Sequence, residues 1–90
     1  MPYIEDQARR ELLDYAASRA IPHVQDAGDL NYAITTLLCQ YTKREGKKYF
    51  TIAVVMGTLI CVALEYYRRL AAPYEDEKIR QNGDVNGYQG

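Results

Sequence analysis

Three observations predict an all-α fold. Apolar residues recur at steps of three and four through the first half of the chain, and the second half holds a long apolar run with no turn signal inside it. Capping and breaking residues also stand where helices of that spacing would begin and end. The expectation is a three-helix chain with an antiparallel hairpin of helices 2 and 3, a short C-terminal helical turn, and assembly as a homo-oligomer.

The first helix is expected over about Glu5–Ala20, where Ala8, Leu12, Tyr15 or Ala16, and Arg19 share a face and charged residues occupy the others. Pro22 and the following Asp-Ala-Gly end it. The second begins behind Asp29, an N-cap residue type, and runs through Leu30, Ala33, Ile34, Leu37, Leu38 and Tyr41. Gly46 breaks that period, with basic residues just before it where they complement the helix dipole. The third helix is expected from Thr51 as its cap to about Ala72, because Pro73 disfavours helical geometry in the residue before it. Ile52, Val54, Val55, Ile60 and Val62 are β-branched, yet the length without a turn favours helix over strand. Gly57 costs about 1 kcal/mol relative to alanine in a helix, which points to a close helix approach there. After Pro73 two helical turns are expected, stopped at Asn82-Gly83. The domain therefore covers residues 1–82, with 83–90 as a flexible tail.

Ninety residues allow one domain, and 48% hydrophobic with 26% charged residues is a folding composition, not a disordered one. A net charge of −1 gives no overall attraction to nucleic acid, so any anion binding must be local, and no DNA partner is expected. Cys39 and Cys61 lack the spacing of a metal or redox motif and are expected as buried, reduced thiols. No metal or cofactor is implied. The start has no basic region leading into an apolar one, so a cytoplasmic setting is expected. Ile52–Leu64 is the one stretch that suggests a membrane span. Its thirteen residues rise only about 20 Å against a hydrocarbon core of about 30 Å, and the run is assigned to protein.

Function is read from two features. Apolar side chains surround helix 3, whereas a helix on the surface of a monomer shows one apolar stripe, so Val55, Leu59, Ile60 and Val62 are candidates for an oligomer interface. In an antiparallel hairpin residue 30 would lie level with about residue 65. Asn31, Tyr66, Tyr67, Arg68, Arg69 and Tyr74 then become candidates for binding an anionic, aromatic ligand, plausibly a nucleotide, since arginine forks suit phosphate and tyrosine faces suit a base. Two readings of the arginines stay open: they bind that ligand, or they pair with Glu65 three and four residues earlier. His23 has no nucleophile at motif spacing, and Glu75, Asp76 and Glu77 lack the pattern of a calcium loop. No catalytic residue is assigned and an enzyme is not expected.

The start MPYI, the central GDLNYAIT and the terminal EYYRRLAAPYEDEKIRQNGDV resemble a family of small uncharacterised bacterial and phage proteins. Members of that family have a more polar start to the third helix than TIAVVMGTLICVAL. The resemblance implies no established activity. It suggests a bacterial or phage-encoded protein in the host cytoplasm, where small helical oligomers act by binding, including as sponges for nucleotide signals of host defence. The alternative is a protein–protein interaction module whose apolar helix recruits a partner without any small-molecule ligand.

Overall fold

A computed structural model describes residues 2–89, and every regular element among them is helical. They are α1 (Gln7–Ala20), α2 (Ala27–Glu45), α3 (Tyr49–Tyr66) and α4 (Ala72–Asn82). A 3₁₀ turn at Ile21–His23 separates α1 from α2, and a second lies at Asn86–Tyr88. A π-helical turn at Tyr67–Ala71 joins α3 to α4, so that one uninterrupted helix runs over Tyr49–Asn82. The described residues thus form three long helices. It divides into two units, one ending at Met56 and one starting at Gly57.

In the first unit, α1 begins at Asp6, whose carboxylate accepts from the amides of Ala8 and Arg9 at 3.0 and 3.3 Å. Its start lies within two residues of the expected one. The cap of α2 is Asp26 and not Asp29. Asp26 Oδ1 accepts from the Asp29 amide at 2.8 Å, and Asp29 Oδ2 accepts from the Gln25 amide at 3.0 Å. Two carboxylates thereby satisfy two amides at the helix entry, a variant of the capping box, and a cap of this kind contributes about 1 kcal/mol. Both residues had cap chemistry, and the reciprocal pair decides which is first.

Gly46 closes α2 as expected. Its φ of 99° lies in the region that only glycine adopts without strain, and its amide donates to Thr42 O at 2.8 Å. Burial in this unit gathers around that turn, where Leu38, Tyr41, Thr42, Val54 and Val55 are half-buried. Thr51 is the single buried residue among those described, at 2% exposure. It is therefore an inward side chain in the first turn of α3 and not the cap in front of it. The first bond of α3 runs from the Ile52 amide to Lys48 O at 3.1 Å.

In the second unit, the helix does not stop before Pro73. A proline inside an α-helix lacks an amide hydrogen and its ring collides with the carbonyl four residues back. Here the Ala72 amide donates to Tyr67 O, five residues back, which widens the helix and moves the offending carbonyl away. Pro73 then sits in the first turn of α4, where a missing amide costs least. Gly83, with φ 86°, ends the helix by donating to Ile79 O at 2.8 Å.

No hydrophobic residue is buried among those described. Cys39 and Cys61 are free, as expected, but exposed and not buried. A Cβ built on Gly57 meets nothing within 4 Å, so the close approach expected there is not made within the chain.

Candidate functional site

The densest set of side-chain interactions surrounds the π turn. Glu65 stands on the last turn of α3, one helical turn before Arg68 and Arg69. Its Oε1 accepts from Arg68 Nη2 at 2.8 Å and from Arg69 Nε at 2.7 Å. Helical spacing of three and four residues puts all three on one side, which is why the pairing forms locally. Of the two readings left open by the sequence, the ion pairs are present. One carboxylate thus engages two guanidiniums, and both arginine side chains are more than half exposed.

Tyr67 reaches the other way. Its hydroxyl donates to Glu75 Oε1 at 2.7 Å across eight positions of sequence. In a regular α-helix, residues eight apart are about 80° out of line. The π turn absorbs one residue, so the pair is placed as if seven apart, two turns along the same face. The bulge that admits Pro73 thus also aligns Tyr67 with Glu75. The hydrogen bond to Glu75, then the charge of that carboxylate, raise the Tyr67 phenol above its ordinary value of 10.0. Raising a tyrosine favours its neutral form in the fold. The contribution is complete below the unfolded value and is lost as pH rises through the folded one. Glu75→Gln is expected to let Tyr67 ionise at a lower pH than in the unaltered chain, read by ultraviolet titration with Tyr67→Phe as reference. An unchanged titration would show that Glu75 does not hold the phenol.

Lys78 lies over the Tyr74 ring with its ammonium 5.5 Å from the centroid, and Arg80 pairs with Glu77. Tyr66 is exposed. The stretch therefore brings together Tyr67, Arg68, Arg69 and Glu65, with Tyr74 and Lys78 following on α4. Glu75 belongs to this group and was missed as a site residue, because its partnership with Tyr67 exists only through the π turn. Asn31 lies in the first unit on α2, where its Oδ1 accepts from Thr35 Oγ1 at 3.2 Å.

The interface candidates lie along α3. Val55 and Leu59 are half-buried, while Ile60 and Val62 are 56% and 58% exposed. Met56 and Leu64 are exposed beside them. A separate recess of about 260 Å³ in the first unit is lined by Ala20, His23, Val24, Asp29, Tyr32 and Ala33. No group of three or more metal-ligating side chains occurs among the described residues.

The model of a family described as a domain of unknown function, DUF6899, matches residues 1–85, and the chain belongs to that family. No curated protein and no solved structure matches the chain.

Proposed function

We propose that this member of the DUF6899 family is a non-enzymatic helical homo-oligomer that binds a small anionic ligand at the end of α3. The observation that carries the first part is the condition of α3. From Tyr49 to Leu64 it has no charged residue, yet only Thr51 on it is buried. Other copies of the same chain would cover this surface, and the α2/α3 hairpin expected from the sequence belongs to that assembled state. The second part draws on the arginine pair. A guanidinium has five N–H donors, so Arg68 keeps donors beyond the one given to Glu65, and Tyr66, Tyr67 and Tyr74 offer ring faces nearby in sequence. A nucleotide-type molecule fits that chemistry, and a sponge for nucleotide signals is the corresponding role by analogy.

A second reading is favoured by the ion pairs themselves. With Glu65 engaging both arginines, the segment serves to close the helix end, and the chain is an interaction module without a small ligand.

Native mass spectrometry of the freshly purified full chain tests both parts, because it reports copy number and any retained nucleotide together. Several copies are expected. A single copy across micromolar concentrations would overturn self-association. Titration of cyclic and linear nucleotides into the chain and into Arg68→Ala and Arg69→Ala follows. A charge-assisted contact contributes roughly 1.5–3 kcal/mol, so each loss is expected to weaken binding on the order of ten- to a hundredfold. No binding by any nucleotide, with variants that only melt earlier, would leave the interaction module.

A further inference from the structure

We propose that α3 spans a lipid bilayer, with Tyr49–Tyr66 as the span. The sequence argument against a span was length, and the helix found is longer than the apolar run suggested. It starts at Tyr49, and its 18 residues rise about 27 Å, within the range that crosses a hydrocarbon core of about 30 Å. The helix then continues without a break to Asn82, so its end is not cut off at the apolar boundary.

The ends of the run carry the chemistry of a membrane interface on both sides. Tyr49 and Phe50 stand at one end and Tyr66 and Tyr67 at the other, all four exposed, and the three tyrosines are amphipathic rings that settle at headgroup depth. Immediately outside them lie Lys47 and Lys48 on one side and Arg68 and Arg69 on the other, cations that anchor a span to phosphate headgroups. A core helix of a water-soluble protein has no reason to repeat this order, cation pair then aromatic pair, in mirror image at its two ends. The one acid inside the span, Glu65, is one residue from its end and pairs with both arginines, at 2.8 and 2.7 Å.

Spanning fits better than lying in the plane of the surface. An interfacial helix needs a charged face turned to water. From Thr51 to Leu64 α3 has no charge, and its hydroxyl side chains there are Thr51 and Thr58 alone. A backbone that is helical throughout also satisfies its own amides and carbonyls in lipid. The inference goes beyond self-association, since lipid covers whatever the copies leave uncovered.

The test is cell-free synthesis of the full chain with vesicles of phosphatidylcholine and phosphatidylglycerol, flotation through a density gradient, and alkaline carbonate extraction of the floated fraction. The chain is expected to float and to stay with the vesicles through carbonate. Leu59→Arg places a charge near the middle of the span and is expected to lower the floated fraction on the order of a hundredfold. Leu12→Arg, at an exposed leucine on α1, is expected to float like the unaltered chain, which separates insertion from general damage. The proposal is overturned if the chain remains in the dense fractions, if carbonate releases it, or if Leu59→Arg floats as well as Leu12→Arg. Dense fractions containing assembled copies would sink the span and leave self-association standing. A floated chain that cross-links only as single copies would do the reverse.

Discussion

Ile60→Asp is expected to abolish assembly and to lower helix content at concentrations where the unaltered chain is helical. In the isolated chain Ile60 is 56% exposed, and a substitution at such a surface site ordinarily changes stability by no more than about 0.5 kcal/mol. If another copy or a bilayer covers that side of α3, the new carboxylate must leave water without a partner. A penalty of several kcal/mol then follows, comparable with the whole stability of a small domain. The two cases differ by far more than the error of the measurement. Sedimentation and circular dichroism across a dilution series check the result, with Tyr88→Asp, at an exposed residue beyond α4, as the control expected to change neither. If Ile60→Asp behaves like Tyr88→Asp, α3 is uncovered in solution, and self-association loses its premise.

The helical class was legible because its signals are local. The period through Leu30, Ala33, Ile34, Leu37, Leu38 and Tyr41 and the glycine at 46 are properties of a few adjacent residues, and α2 and its stop follow. The errors arise where two local signals compete. Asp26 and Asp29 both have cap chemistry, and only their mutual hydrogen bonding ranks them. Thr51 has the side chain of a cap, but Tyr49 and Phe50 already belong to the helix. Pro73 predicts a stop because proline disfavours helical geometry in the residue before it, and the sequence carries no mark of the wider turn that accommodates it. Glu65 with Arg68 and Arg69 was foreseeable from spacing alone. Tyr67 with Glu75 was not, since eight positions is the wrong spacing on an unbroken helix.

That pairing supplies the most informative single change near the candidate site. Pro73→Ala restores the amide hydrogen whose absence the π turn accommodates, and proline is about 3 kcal/mol less favourable than alanine inside a helix. The expected result is relaxation of Tyr67–Ala71 to regular α-helix. Removing the extra residue from the turn rotates everything after it by about 100° relative to α3, so Glu75 leaves the face of Tyr67. The phenol should then ionise at a lower pH than in the unaltered chain, as it should in Glu75→Gln, while the chain melts no earlier than before. The arginine pair would keep Glu65, because residues three and four apart also face one another on a regular α-helix. Ligand binding retained in Pro73→Ala would therefore assign recognition to Arg68 and Arg69, and binding lost would assign it to the register of Tyr74 and α4 against them. Should Tyr67 keep its raised value in Pro73→Ala, the π turn is held by the Tyr67–Glu75 bond itself and the proline merely tolerates it.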